Sequence, residues 1–409
     1  MNHIITAPQR HISARVSLPA SKSISNRALI MNALAPAPDF GLIANLADSD
    51  DTLALRTALT SGQHYANIGA AGTAMRFLTA YLAMQPGEWI LTGSERMKER
   101  PIRLLVDTLN SLGAHIGYVE DAGFPPLRIT GRALEGGEAS ISGGVSSQYI
   151  SALLMTAPAM RQGLRLRLKG QIVSRPYISL TTELMRHHGV NVLSESPGEF
   201  IIEPQTYTPM PLTVEADWSA ASYWYAIASL ADEATIRLDG LFRDSLQGDA
   251  AVAGLYKQLG VQTEYADNCV IISRCGEPAA SIEYDFTDEP DLAQTLVANC
   301  CFLGVHFRFG GLQSLRIKET DRLSALRTEL GKLGYDLRLG GSSLEWSGQT
   351  CTPNPAPLID TYNDHRMAMS FAPAAFIRPE GIEIAEAEVV SKSYPRFWSD
   401  LSQAGFGID

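Results

Sequence analysis

Two kinds of helical pattern alternate along the chain. In the first, apolar residues run nearly all the way round after a short, small or polar start, as in SKSISNRALIMNALA, GTAMRFLTAYLAM, SSQYISALLMTAPAM, WSAASYWYAIASLA, EPDLAQTLVANCC and NDHRMAMSFAPAA. Helices without a polar face are predicted to be buried. In the second, apolar positions keep to one side and the segment closes on glycine: RTALTSG, LNSLGAHI, LMRHHGVNV, LYKQLGVQT, LGKLGYDL and DLSQAG. Glycine at that place suits a left-handed C-cap leading into an extended segment. Strand-like runs such as LRLRLKG, FIIEP, TIRLDG and CVIISR lie between the helices.

The spacing organises these elements. The closing glycines are Gly62, Gly113, Gly189, Gly260, Gly334 and Gly405, separated by 51, 76, 71, 74 and 71 residues. The apolar helices, marked by Lys22, Thr73, Ser147, Ser219, Asp291 and His365, step by 51, 74, 72, 72 and 74 residues. Two series in phase over six steps predict six α+β units of about 70 residues. Three units per domain give residues 18–216 as a first domain, and 1–17 with 217–409 as a second.

Composition narrows the class. The 409 residues are 45% hydrophobic and 19% charged, as in a soluble globular protein. The net charge of −11 argues against a nucleic-acid or basic membrane-surface protein, so any anion site must be a local cluster. No segment reaches the roughly 20 apolar residues of a membrane span. Five cysteines with no CxxC pair, and a start (MNHIITAPQRHI) without a secretory leader, predict reduced thiols and a cytoplasmic protein. There is no GxxxxGK[ST], strand-linked GxGxxG or HExxH, so neither a nucleotide or redox cofactor nor a metal is expected. His187–His188 read as ordinary helix surface, and Cys300–Cys301 as core.

Cations cluster where helices begin. RIKETDRLSAL, residues 316–326, crowds Arg316, Lys318 and Arg322 around Glu319 and Asp321. Similar starts are KERPIRLL with Lys98 and Arg100, VSRPYISL with Ser174, Arg175 and Tyr177, and SKSYPRF with Lys392. The apolar helices begin with Lys22, Ser23 and Arg27, with Gly72, Thr73 and Arg76, with Ser146, Ser147 and Gln148, and with Asp364, His365 and Arg366. Cations repeated there oppose the helix macrodipole and make sense if an anion is shared by backbone N–H groups and side chains, while Lys98, Arg103 and Arg327 also read as solvated surface. The prolines of ERPI and SRPY suit a first helical turn.

The pieces PASKSISNRAL, AGTAMR, MKERPI, VSSQY, VSRPYI, SLQGD, EPD, IKETDRL, YNDHRMAM and SKSYP, in this order, resemble the EPSP synthase family over almost the whole chain. The resemblance implies an inside-out α/β barrel of two three-repeat domains, with the active site in the cleft between them. It implies transfer of the enolpyruvyl group of phosphoenolpyruvate to the 5-hydroxyl of shikimate 3-phosphate, with release of phosphate and no cofactor. Lys22, Ser23, Arg27, Ser146, Ser147, Gln148, Ser174, Tyr177, Asp291 and Lys318 resemble the shikimate 3-phosphate contacts. Lys22, Gly72, Arg100, Gln148, Arg322, Arg366 and Lys392 resemble the phosphoenolpyruvate contacts. Asp291 and Glu319 resemble the catalytic carboxylates, with Lys22 and His365 beside them; Asp321 is expected to pair and cap locally. Anionic small molecules are thus the expected partners, and a monomer the expected state.

Three positions depart from the family's usual pattern: Ala70 and Ser314 stand in place of asparagines, and Phe77 in place of a proline. The sister enzyme acting on UDP-N-acetylglucosamine carries a reactive cysteine on a loop of its first domain, whereas TGSERMKERP has none. A non-catalytic anion sensor on the same scaffold would need the cations but not Asp291 and Glu319 together.

Overall fold

A computed structural model describes every residue except Gln9. The chain divides into two compact units, Ser21–Val214 and Met1–Ala20 with Glu215–Asp409. The same βαβαββ motif builds both. A strand leads into a buried helix and then a second strand parallel to the first; an amphipathic helix and a hairpin follow. The hairpin's last strand lies antiparallel against the second strand.

In the unit Ser21–Val214, Tyr65–Asn67 runs parallel to Gly87–Thr92, with the buried helix Gly72–Leu82 as the crossover. The helix Arg103–Ser111 and the hairpin His115–Tyr118 and Leu127–Gly131 complete that sheet. A second copy uses Gly137–Ser142, the helix Ser147–Thr156, Leu164–Lys169, the helix Arg175–His187 and Glu199–Ile202. The third sheet pairs Leu212–Thr213 with Ile43–Ala44, from opposite ends of the segment. It belongs with the helices Lys22–Ala33 and Asp50–Thr60. Parallel neighbours require such crossovers, which is why each first strand is followed by a helix.

The other unit repeats the plan with two borrowed strands. His11–Ser17 lies parallel to Glu233–Asp239, pairing His11 with Glu233 and Ser17 with Asp239. His3–Thr6 sits between Ile382–Ile384 and Gly407–Ile408. The middle sheet orders Ser281–Asp285, His306–Gly310, Leu344–Trp346 and Arg338–Leu339.

Within each unit the apolar helices pack on one another and the sheets lie outside them. Every residue of the helix Trp218–Leu230 is buried, including Trp218, Tyr223, Trp224 and Tyr225. Each such side chain contributes roughly 1.5–3 kcal/mol of burial. The strand His11–Ser17 alternates exposed and buried residues, as a sheet with one wet face should. The architecture is the mixed α/β, helix-inside arrangement anticipated from the apolar pattern. All six closing glycines have positive φ, from 65° at Gly62 to 102° at Gly113, because the backbone turns through the left-handed region to leave the helix.

Four expectations differ. Pro176 does lie in a first helical turn, but Pro101 precedes the N-cap Ile102 of the helix Arg103–Ser111. Lys98 ends a separate short helix, Glu95–Lys98, where it pairs with Glu95 and Glu120; Arg100 lies between the two helices. Lys392 likewise ends the 3-10 turn Ala387–Lys392 and not the start of the helix Phe397–Gln403. His188 is buried, not on the surface: it caps its helix and its Nδ1 lies 3.2 Å from the Thr208 carbonyl. Burial pushes its imidazole below the usual value. Cys300 and Cys301 are core, as expected.

Candidate active site

The unit containing Glu215–Asp409 gathers Asp291, Lys318, Glu319, Arg322, Arg366 and Lys392 into one network. Arg322, with 2% of its side chain exposed, is the hub. Its Nε donates to Asp364 Oδ2 at 2.7 Å, Nη2 to Glu319 Oε2 at 3.0 Å, and Nη1 to Asp291 Oδ1 at 3.3 Å. Arg366 Nη2 donates to the other Asp291 oxygen at 2.9 Å, and Lys318 Nζ lies 3.6 Å from Oδ1. Lys392 Nζ donates to Glu319 Oε1 at 2.7 Å. Each candidate carboxylate is therefore gripped by at least two cations.

Local structure explains who meets whom. Lys318 is extended (φ −84°, ψ −150°), so consecutive side chains diverge there. Lys318 accordingly reaches Asp291, while Lys392 joins Arg322 on Glu319, a pairing the sequence neighbours did not suggest. Asp321 caps the helix Arg322–Lys332, accepting from Ser324 N at 3.3 Å and from Arg316 Nη1 at 3.0 Å. Asp364 caps the helix His365–Phe371 through Arg366 N, 2.9 Å away, while pairing with Arg322. The His365 ring is buried, with Nδ1 3.6 Å from Asp364 Oδ1.

Electrostatics follow the geometry. Burial disfavours charge on Asp291, but Arg366, Lys318 and Arg322 outweigh it and hold the carboxyl well below the usual range. Burial also disfavours charge on Arg322, and Asp364, Glu319 and Asp291 more than reverse that. Buried ion pairs seldom stabilise more than apolar replacements of the same volume. So dense a network is weakly explained by stability and better by chemistry.

The unit Ser21–Val214 holds the other candidates. Lys22 is the first residue of its helix, and its Nζ donates to Asp51 Oδ2 at 3.0 Å. Arg27 is buried and held by Thr181 Oγ1 at 2.7 Å, Ser151 Oγ at 2.9 Å, and the carbonyls of Ser23 at 3.0 Å and Tyr177 at 3.3 Å. Its guanidinium lies 5.4 Å from the Phe77 ring centre and 6.0 Å from that of Tyr177. Burial lowers it to about 10. Gln148 Nε2 donates to Thr73 Oγ1 at 3.1 Å, and Ser146 caps the helix that begins at Ser147.

Arg100 presses on Gly72 so closely that an added Cβ would lie 2.5 Å from its Nη1. Glycine here serves a close approach. Ser174, before the helix Arg175–His187, has φ 54°, a left-handed conformation that costs a serine roughly 1–3 kcal/mol. Tyr362 and Asn363 (both φ 54°) and Glu386 (φ 47°) likewise stand just before Asp364–Arg366 and the turn ending in Lys392. Strained backbone recurs beside candidate residues. Ala70 is exposed, and Ser314 lies in the turn Gln313–Ile317.

Asp51, Thr73 and Asp364 partner candidate residues, yet none had been assigned to the site from sequence. The available signals were the places of Thr73 directly after Gly72 and of Asp364 directly before His365 and Arg366, both within clustered helix starts. Among the described residues no group of three or more His, Cys, Asp or Glu side chains could hold a metal. No helix among them is long and apolar enough to cross a membrane.

The family model for EPSP synthase (3-phosphoshikimate 1-carboxyvinyltransferase) matches residues 6–64 and 55–401. A Bacteroides fragilis protein named 3-phosphoshikimate 1-carboxyvinyltransferase is 54% identical over 409 residues, covering 100% of this chain and 99% of its own. One of the same name from Sulfurovum sp. is 39% identical, covering 98% and 99%. In fold, the chain resembles the EPSP synthase of Acinetobacter baumannii at a TM-score of 0.76 and 20% identity, covering 100% of both chains. It also resembles the enolpyruvyl transferase NikO of Streptomyces tendae at 0.71 and 17%, covering 100% of this chain and 98% of that one. Matched along nearly its whole length, the chain belongs to the EPSP synthase family.

Proposed function

We infer that this protein transfers the enolpyruvyl group of phosphoenolpyruvate to the 5-hydroxyl of shikimate 3-phosphate and releases phosphate, as a 3-phosphoshikimate 1-carboxyvinyltransferase of aromatic amino acid biosynthesis. The observation that carries the mechanism is the network in which Arg322 bridges Asp291 and Glu319, two carboxylates each held by further cations. A sensor of anions would need the cations alone. Two carboxylates set among them give a proton acceptor and a proton donor beside bound anions.

Both substrates are anions, and bringing them side by side costs several kcal/mol at an effective dielectric of about 20. Lys22, Ser23, Arg27, Ser146, Ser147, Gln148, Ser174, Tyr177, Asp291 and Lys318 are assigned to shikimate 3-phosphate. Lys22, Gly72, Arg100, Gln148, Arg322, Arg366 and Lys392 are assigned to phosphoenolpyruvate. In the addition step Asp291 takes the proton of the 5-hydroxyl, whose oxygen bonds to C2 of phosphoenolpyruvate while Glu319 protonates C3. In the elimination step Glu319 takes a proton back from the new methyl group. The C2–O bond to phosphate breaks, and Lys22 supplies the proton that phosphate carries away. His365, beside Asp364, supports this network. The enzyme is assigned as a cytoplasmic monomer without cofactor, and its net charge of −11 gives nucleic acid no purchase.

The direct test is phosphate release by the purified protein. Release that needs both substrates together supports the assignment; no release with both, at substrate concentrations that saturate relatives, refutes it.

A further inference from the structure

Asp249 is a buried carboxyl that the reaction above does not use. It lies in the turn Gly248–Ala251 with 3% exposure. Its Oδ2 accepts a hydrogen bond from Ser219 Oγ, and its Oδ1 has no donor among the described residues. Ser219 lies in the first turn of the buried helix Trp218–Leu230, where its N–H donates to the cap Asp217 at 2.8 Å. The same Ser219 Oγ accepts from Arg366 Nη2 at 3.4 Å, and that nitrogen also donates to Asp291 Oδ2 at 2.9 Å. One guanidinium nitrogen is thus shared between Asp291 and a hydroxyl tied to Asp249. Arg366 Nη1 leans on Tyr223 OH at 3.4 Å, which steadies the guanidinium from the other side.

The charged and titratable groups around Asp249 are Asp291, Arg366, Asp217 and the Tyr284 phenol. Burial and the charge of Asp291 push Asp249 up to about 7, against the pull of Arg366 and Ser219. Asp291, gripped directly by three cations, stays ionised through the same range.

We propose that Asp249, acting through Ser219, sets how firmly Arg366 grips Asp291, and so is a positioning residue for the carboxylate that takes the hydroxyl proton. This rests on the role given to Asp291 above. When Asp249 is ionised it draws Arg366 toward Ser219 and places a like charge near Asp291. Both changes raise the affinity of Asp291 for a proton. When Asp249 is neutral, Arg366 is left to Asp291, which is then a weaker base.

The test is a pH profile of kcat for the full chain with both substrates, from about pH 5.5 to 9, in wild type, Asp249→Asn and Ser219→Ala. Circular dichroism first establishes that each variant is folded, and Ser219→Ala stands in if Asp249→Asn is not. The wild-type kcat rises with pH near neutrality. In the variants that rise is lost, kcat at high pH falls about tenfold, and KM for shikimate 3-phosphate is unchanged. A full-amplitude rise in the variants overturns the proposal, and so does an equal loss at every pH, which marks a merely structural role. A wild-type enzyme without turnover overturns the assigned reaction and this inference together. Turnover with a retained rise overturns the inference alone.

Discussion

Replacing Gly72 with alanine separates function from stability at one methyl group. The new Cβ would stand 2.5, 2.8 and 2.9 Å from Nη1, Nη2 and Cζ of Arg100, where carbon contacts settle near 3.5 Å or more. The guanidinium must therefore retreat by about 1 Å, and as the end of a flexible side chain it can. Gly72 is the first residue of the helix Gly72–Leu82, and alanine favours helix over glycine by up to about 1 kcal/mol. Melting temperature should hold or rise slightly. Phosphoenolpyruvate, however, loses a well-placed charge-assisted hydrogen bond, about 1.5–3 kcal/mol or roughly 10- to 150-fold in affinity. Calorimetric titration with phosphoenolpyruvate, in the presence of shikimate 3-phosphate, reads the loss; titration with shikimate 3-phosphate alone should be unchanged. Arg100→Ala completes a double-mutant cycle, in which Gly72→Ala adds little once the guanidinium is gone. Unchanged phosphoenolpyruvate affinity with a melting temperature several degrees lower would refute the reasoning, making Gly72 a packing residue.

Glu319→Gln keeps the side chain's shape but cannot carry a proton between Arg322 and Lys392. Turnover should fall by roughly 10²-fold or more with near-normal binding of shikimate 3-phosphate. Exchange of solvent deuterium into the methylene of phosphoenolpyruvate should fall in parallel, and wild-type exchange would pass the carbon acid–base role to Lys22 or Asp291. Asp249 also gives a stability prediction. Because folding raises it to about 7, the native state keeps, between the ordinary aspartate value and about 7, a proton that the unfolded chain has released. Its contribution is full at acid pH and is lost as pH rises through about 7. Asp249→Asn should thus gain thermal stability relative to wild type more at pH 8 than at pH 5, and scanning calorimetry giving the opposite order would contradict the assigned ionisation. Asp291 is shifted downward, so its contribution is lost only as pH falls below the ordinary aspartate range.

The repeat was legible because it is written in local signals. A positive-φ glycine after an amphipathic helix and a helix apolar on all sides are each decided within a dozen residues. The cap at Asp321 was readable for the same reason, three residues from Ser324. Long-range pairings were not. Lys392 reaches Glu319 across 73 residues and Arg322 reaches Asp364 across 42, and no spacing rule links them. Asp51 sits in the acidic run DSDD and reads as a solvated helix start, until the fold turns it under Lys22. Burial of His188 was missed because it ends an amphipathic helix, where the pattern cannot tell the last inward position from the first exposed one.

Arg27 and the arginines of the carboxylate network are held by different means, whereas Lys22, like them, is paired with a carboxylate, Asp51. Arg27 is buried among hydroxyls and carbonyls, with no carboxylate among its hydrogen-bond partners in the described residues. Neutral acceptors satisfy its N–H groups without cancelling its charge, so the field it projects stays positive, which suits binding a phosphorylated carboxylate. Arg322 and Arg366 are instead held by Asp364, Asp291 and Glu319. There the positive charge is largely spent on the protein's own acids, and what the arrangement gains is control of where protons sit. An anion arriving beside Lys392 or Arg366 competes with those carboxylates for the same donors. Each donor it takes leaves Glu319 or Asp291 more willing to accept a proton. Binding of the substrates would in this way create the bases that consume them, and the acidic partners of these cations belong to the mechanism as much as the cations do.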